Sequence, residues 1–133
     1  MLFDEINFLS ENTKNKSNLK VIKSSVTSGK LSHAYLFAGN DMDCLSDIAL
    51  LFAASVNCEK KGCGKCRVCS NTVKGIYENL LIVEPEGSIL TMDKVLQIQK
   101  FVSTSAYTEG KKICIIREAD LMNREAANRI LKV

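Results

Sequence analysis

Four cysteines within twelve residues form the part of this sequence with the clearest chemistry: Cys58, Cys63, Cys66 and Cys69. Their pattern is C-x4-C-x2-C-x2-C, and a two-residue spacer lets two sulfur atoms reach one ion. Zn²⁺ takes four soft ligands in a tetrahedron, so four thiolates complete its coordination and leave no open position for catalysis. The spacing therefore predicts one structural zinc site, with Gly62 and Gly64 allowing the chain to turn tightly around Cys63.

Two other interpretations of this cysteine cluster stay open at the level of sequence. An iron–sulfur cluster also binds cysteines, but its common run, C-x2-C-x2-C-x3-C-P, needs a further cysteine and a proline after three intervening residues. Here Cys63, Cys66 and Cys69 fit the first part of that run, but residues 70–73 are Ser, Asn, Thr and Val, so the signature is incomplete. The second interpretation is four reduced cysteines without a metal. Cys44 and Cys114 stand apart in apolar segments and are predicted to be small buried side chains.

Short apolar segments alternate with helical patterns along the chain. The segments Ala34–Ala38, Leu80–Val83 and Ile113–Ile116 are predicted to be buried strands. Apolar residues at helical spacing predict helices over residues 17–29 and 92–104, with Thr91 as an N-cap of the second, and a final helix capped by Asn123. Residues 44–56 are apolar on almost every side, which predicts a helix covered on several faces. Such alternation is typical of an α/β fold, in which helices cover both faces of a parallel sheet.

The composition predicts a globular domain with a real core, because 46% of the 133 residues are apolar. No apolar run approaches the ~20 residues that span a membrane, and the N-terminus does not have the pattern of a signal peptide. We therefore expect a soluble, cytoplasmic protein with no membrane partner. The net charge of +3 does not by itself indicate nucleic acid, and a solvated surface is the simpler interpretation of the basic residues.

Five segments, in order, resemble the bacterial clamp-loader subunits of DNA polymerase III: Ser32–Gly39, the cysteine cluster, Asn79–Pro85, Lys111–Asp120 and Glu125–Lys132. The resemblance implies an AAA+ (P-loop NTPase-like) fold with strand order 5-1-4-3-2, truncated after the third strand, and a small zinc-binding insertion at about residues 57–70. Residues 1–133 would then be the N-terminal part of that domain, without the remaining strands, lid and collar domains. Such a fragment is not expected to fold stably alone.

The same resemblance identifies a nucleotide site that has lost its key residues. A working phosphate loop reads G-x-x-x-x-G-K-[ST]. Residues 39–46 keep only the first glycine and the hydroxyl residue, and the substituted loop consists of Gly39, Met42, Cys44, Leu45 and Ser46. In the acidic motif, Arg117 takes the position of the magnesium-binding aspartate and leaves Glu118 beside it. The resemblance therefore implies that this chain neither binds nor hydrolyses ATP.

The leading functional hypothesis is a non-catalytic clamp-loader subunit of the delta-prime type. The family places such a subunit in a hetero-pentameric ring with gamma or tau and delta subunits, which loads the sliding clamp onto primed DNA. The parent complex is a DNA-directed DNA polymerase, which is a nucleotidyltransferase. Two alternatives remain: a divergent gamma- or tau-like ATPase, and a small zinc module that binds nucleic acid directly.

Overall fold

The computed structural model describes residues 16–87, 89–106 and 109–131, which fall into two compact units divided between Tyr77 and Glu78. The first unit contains helices α1 (Lys16–Ser28), α2 (Met42–Asn57) and α3 (Arg67–Val73). The second contains β1 (Leu80–Val83), α4 (Met92–Ser103), β2 (Ile113–Ile116), a 3₁₀ turn (Ala119–Leu121) and α5 (Arg124–Leu131). Two predictions fall outside the described residues: the absence of a signal peptide, which concerns residues 1–15, and the part of the final matched segment at Lys132.

The core of the first unit forms around α2, whose sequence is apolar on almost every side. Ile48, Leu51 and Phe52 are buried on this helix, and they pack with Ile22 and Val26 of α1. The buried sulfur residues Cys58 and Cys69 belong to the same cluster. The cysteine region is therefore continuous with the hydrophobic core of this unit.

The predicted strand at Ala34–Ala38 is wrong, because this segment is irregular and largely exposed. Leu36 is 83% exposed, while the ring of Tyr35 packs edge-on against Phe52 with 5.0 Å between ring centroids. An apolar run becomes a strand only if a neighbouring strand satisfies its N–H and C=O groups. Among the described residues, strand pairing joins only β1 and β2, so this segment has no strand beside it.

The second unit is built on two parallel strands, as predicted, with Leu80 opposite Ile113 and Val83 opposite Ile116. One face of this sheet packs against Val95 and Ile98 of α4 and against Ala126 of α5. The two helices are also joined directly, because the Gln99 side chain donates a hydrogen bond to the carbonyl of Arg129 at 3.1 Å. This arrangement is the βα unit that short apolar strands and a connecting helix favour.

Both predicted helix caps in the second unit are confirmed. The Thr91 hydroxyl accepts the N–H of Lys94 at 3.4 Å, and the Asn123 side chain accepts the N–H of Ala126 at 2.8 Å. At the other end of α4, the Lys112 ammonium donates to the carbonyl of Phe101 at 2.6 Å. Across the described ranges, none of the helices combines the length and the apolar character needed to cross a membrane.

Replacing Ile98 by alanine should lower the free energy of unfolding by about 2–5 kcal/mol, because the side chain is 2% exposed and its removal leaves a cavity. Leu96 lies on the same helix but is 47% exposed, so Leu96→Ala is the matched control and should cost far less. Urea denaturation followed by circular dichroism measures both values. Equal losses in the two variants would contradict the assignment of Ile98 to the core.

A candidate metal centre and a substituted phosphate loop

The four clustered cysteines come together in the structure as their spacing predicts. Their sulfur atoms all lie within 4.8 Å of one another, and those of Cys58 and Cys66 are 3.8 Å apart. A tetrahedral ion with metal–sulfur bonds of ~2.3 Å holds its sulfur ligands ~3.8 Å apart. All six cysteines are free thiols, so no disulfide competes for these sulfur atoms. The cluster could therefore hold one metal ion.

Two helix ends and a tight turn position the sulfur atoms. Cys58 is the C-cap residue of α2, and its N–H donates to the carbonyl of Ala54 at 3.0 Å. The chain then turns through Lys61, Gly62 and Gly64, whose φ angles are 59°, 106° and 79°. Left-handed backbone is costly for residues with a side chain, so the predicted need for glycine at two of these three positions is confirmed.

Helix α3, which no sequence pattern predicted, holds the other end of the cluster. Cys66 is its N-cap residue, and the Cys66 sulfur accepts the N–H of Cys69 at 3.4 Å. The segment lacks an apolar period, which is why helical periodicity did not find it. The C-x2-C spacing was the available signal, because a cap side chain and the N–H that it accepts are separated by this interval.

Backbone N–H groups surround the sulfur atoms and favour their thiolate forms. The N–H groups of Lys65 and Cys66 donate to the Cys63 sulfur at 3.4 and 3.3 Å, and they lower the pKa of this thiol to about 6. Burial raises the pKa of Cys58, but N–H groups from Cys63, Gly62 and Lys60 outweigh it and the net pKa is lowered. The thiolate forms of Cys58 and Cys63 are therefore favoured, and the thiolate is the form that binds a metal ion.

The pKa of Cys69 is shifted in the opposite direction from those of Cys58 and Cys63. Its side chain is fully buried, and burial raises the pKa of this thiol far above its ordinary value. A buried thiolate needs a positive charge in contact with it, which a divalent ion among the four sulfur atoms would supply. The donor set is soft sulfur throughout, which suits zinc or iron rather than magnesium or calcium.

A lysine contact ties the cysteine turn to helix α1. The Lys61 ammonium donates to the carbonyl of Thr27 at 2.5 Å, in the last turn of α1. This carbonyl has no partner within its own helix, so the lysine satisfies it and also meets the negative end of the helix dipole. No sequence pattern predicted the contact, because the two residues are far apart along the chain.

The segment aligned with a phosphate loop is already closed by its own residues. Helix α2 begins at Met42, and Asp41 caps it, because the carboxylate accepts the N–H of Cys44 at 3.1 Å. The observed helix begins two residues before the predicted start at residue 44, and its first turn therefore lies inside the segment 39–46. A working loop leaves such N–H groups open to phosphate oxygens. Here the Asp41 carboxylate accepts one of these N–H groups, that of Cys44.

Leu45 packs against the first glycine of this segment. A Cβ atom placed on Gly39 would lie 3.7 Å from both terminal carbons of Leu45, so the leucine side chain covers this glycine. Ser46 is half-buried in α2, and Met42 is partly exposed. The prediction that Cys44 is buried is wrong in degree, because this residue is half-buried at the edge of the core. Burial and the charges of Asp41 and Asp47 raise the pKa of Cys44.

The aligned acidic motif lies directly after β2. The N–H of Arg117 donates to the carbonyl of Val83 at 2.9 Å, and its guanidinium pairs with the carboxylate of Glu84 at 2.6 Å. Glu118 is exposed and has left-handed backbone, with a φ of 52°. An ion pair between a guanidinium and a carboxylate therefore lies directly after the two strands. The sequence pattern pointed to Arg117 but not to its partner Glu84, which is 33 positions away along the chain.

The known proteins that this chain resembles include several subunits of DNA polymerase III. A family model described as DNA polymerase III, delta subunit, matches residues 14–133. The DNA polymerase III subunit delta' of Bacillus subtilis is 35% identical over 86% of this chain and 36% of its own length. The subunit delta' of Pseudomonas aeruginosa is 30% identical over 76% of this chain and 33% of its own length. A DNA polymerase III subunit gamma from Buchnera aphidicola is 32% identical, covering 86% and 32%. The chain thus spans about a third of the length of these relatives.

In the metal-free chain, Cys63 should react with iodoacetamide at pH 7 much faster than Cys114. The Cys63 pKa of about 6 leaves this thiol mostly ionised, and only the thiolate is nucleophilic. Cys114 is half-buried in β2, and burial raises its pKa to about 11, so it stays protonated. The Cys63 rate should fall below pH 6, while the Cys114 rate should still rise above pH 9. Mass spectrometry of the modified peptides measures both rates, and equal rates at pH 7 would contradict the thiolate geometry.

Proposed function

The chain belongs to the DNA polymerase III delta-subunit family, and we propose that it acts there as a non-catalytic clamp-loader subunit of the delta-prime type. In this proposal it joins gamma or tau and delta subunits in a hetero-pentameric ring in the cytoplasm. The ring places the sliding clamp on primed DNA for the parent DNA-directed DNA polymerase. The chain itself contributes assembly rather than nucleotide chemistry.

The closed loop at residues 39–46 is the observation that carries this proposal. Asp41 supplies a carboxylate to the N–H of Cys44, and Leu45 covers Gly39. ATP would have to displace that carboxylate and overcome its negative charge, with no lysine to meet the outer phosphates. The ion pair of Arg117 with Glu84 supports the same conclusion, because a guanidinium cannot ligate magnesium.

We also propose that the chain is part of a larger AAA+ domain. β1 and β2 are parallel neighbours, as the second and third strands are in the strand order 5-1-4-3-2 of the AAA+ fold. We assign residues 1–133 to the N-terminal part of such a domain, with the metal-binding module at about residues 57–70. In that order the first strand lies between the fourth and fifth strands, neither of which is among the described residues. The irregular segment at Ala34–Ala38 fits this assignment, because it has no neighbouring strand there to pair with.

A second candidate, a gamma- or tau-like ATPase, is favoured by the 32% identity to a gamma subunit. The two roles make opposite predictions for Ser46, the hydroxyl residue that a working loop directs at magnesium. If the chain is an ATPase, this hydroxyl is required for clamp loading. If the chain is an assembly subunit, the hydroxyl is dispensable.

For the metal we propose zinc, held by Cys58, Cys63, Cys66 and Cys69. The sulfur spacing suits metal–sulfur bonds of ~2.3 Å, and four thiolates form a closed site for an ion without redox chemistry. Zinc would stabilise the buried Cys69 thiolate and link the end of α2 to α3. Since Cys58 and Cys69 are part of the core, binding would stabilise the folded unit as a whole.

Purified protein should contain one zinc ion per chain, and the Cys63→Ser/Cys66→Ser variant should contain none. The control is Cys44→Ser/Cys114→Ser, which removes the same number of thiols outside the cluster and should keep the zinc. Elemental analysis measures the metal, and thermal unfolding should show a lower midpoint after chelation. Zinc retained in the cluster variant, or iron in its place, would contradict the assignment.

Clamp loading reconstituted with the full-length protein and its gamma or tau and delta partners tests the role of the subunit. Ser46→Ala should leave the loading rate unchanged, and calorimetric titration of the subunit alone with ATP and magnesium should show no binding. Leu45→Lys should not restore binding, because Asp41 still occupies the loop. The matched control replaces the corresponding hydroxyl of a gamma subunit and should lower the rate. A comparable loss with Ser46→Ala would support the ATPase instead.

A further inference from the structure

The backbone of Lys61 has a conformation that lysine rarely adopts. Its φ angle is 59°, in the left-handed region, and it lies in the cysteine turn (residues 59–64) beside Gly62 and Gly64, which adopt such angles without strain. A lysine has no short polar side chain that could hydrogen-bond its own backbone and offset the strain. Glycine at position 61 would therefore form this turn more readily. Strain that is kept at one residue points to a contribution that its side chain makes elsewhere.

The Lys61 side chain holds the end of α1. Its ammonium donates to the carbonyl of Thr27 at 2.5 Å, across 34 positions of sequence. Among the described side chains of α1, Ile22 and Val26 are buried in the core of the unit. The hydroxyls of Ser25 and Thr27 donate to carbonyls within the same helix, so these two bonds do not attach it to the rest of the unit. With so small a buried face, the helix depends on the contact at its end.

The cysteines on either side of Lys61 determine where its side chain can reach. Cys58 lies three residues before it and Cys63 two residues after it. The Lys61 N–H donates to the Cys58 carbonyl at 2.9 Å, and the Cys63 N–H donates to the Cys58 sulfur, a weak acceptor, at 3.5 Å. An ion bonded to both sulfur atoms would hold this turn far more firmly than these two hydrogen bonds do. Loss of the ion would let the strained backbone relax, which would carry the ammonium away from Thr27.

We propose that Lys61 couples the metal site to α1, so that a metal ion in the cysteine cluster fixes this helix on the first unit and loss of the ion releases it. This coupling rests on the zinc proposed above and not on the role in clamp loading. It is reciprocal, because a contact that forms better in the metal-bound protein raises the affinity for the metal by the same factor. Release of α1 would expose the apolar side chains of Ile22 and Val26.

Hydrogen exchange of the zinc-loaded full-length protein, measured by mass spectrometry, tests the coupling. Lys61→Met keeps the aliphatic chain but removes the donor, so the amides in the last two turns of α1 should exchange roughly three- to tenfold faster, as expected for one lost hydrogen bond. The further increase that chelation causes in these amides should be smaller in this variant than in the unaltered protein. Lys60→Met removes an exposed cation from the same turn and is the matched control, which should leave α1 unchanged.

Lys61→Gly separates the coupling from a general effect on stability. It removes the side chain and also relieves the strained backbone. Competition with a chromophoric chelator should therefore show tighter zinc binding than in Lys61→Met, while the α1 amides exchange as fast as in that variant. If Lys61 contributed only to general stability, relief of the strain would slow the exchange of α1, which would contradict the proposal.

Three further results would overturn the coupling: unchanged α1 exchange in Lys61→Met, an equal increase in Lys60→Met, or an equal increase in the amides of α2, which would mean that the whole unit opens. Elemental analysis comes first. Absence of zinc would overturn the metal assignment together with the coupling, whereas zinc bound with α1 unaffected would overturn the coupling alone. The clamp-loading assay of Ser46→Ala reports on the proposed subunit role whichever of these results is found, so the failures are distinguishable.

Discussion

The convergence of four sulfur atoms within 4.8 Å of one another is the constraint on which the first unit depends. It requires α2 to end at Cys58, the chain to turn through left-handed backbone, and α3 to begin at Cys66. The C-cap Cys58, the glycines at 62 and 64 and the N-cap Cys66 meet these three requirements in turn. Because Cys58 and Cys69 also belong to the hydrophobic core, the cluster cannot open without exposing apolar surface.

The segment at residues 39–46, which resembles a phosphate loop, also stabilises the helix that begins within it. A phosphate loop keeps N–H groups unsatisfied until nucleotide arrives, which is a cost to the empty protein. Asp41 satisfies one of these groups from within the chain, and Leu45 covers Gly39 with apolar side chain. If the chain acts as proposed, loss of nucleotide binding and gain of local stability would both follow from these two residues.

The sequence predicted those features that local patterns determine. Helical periodicity located α1 and α4, a segment apolar on almost every side located α2, and short apolar runs located β1 and β2. The segment Ala34–Ala38 has the same composition as those strands, but strand formation depends on a neighbour distant in sequence, which composition does not reveal. Cysteine spacing predicted which sulfur atoms converge. The pairs Lys61–Thr27 and Arg117–Glu84 join residues more than thirty positions apart and leave no pattern to find.

Helix α2 connects the two features that distinguish this chain. It begins at the closed loop and ends at the first cysteine, and its sixteen residues extend for roughly 24 Å at ~1.5 Å per residue. In a nucleotide-driven subunit, a loop that binds and releases phosphate would change the interactions at the start of this helix. Here Asp41 keeps those interactions constant, and a metal ion in the cysteine cluster would fix the other end. A helix held at both ends would suit the non-catalytic role proposed above.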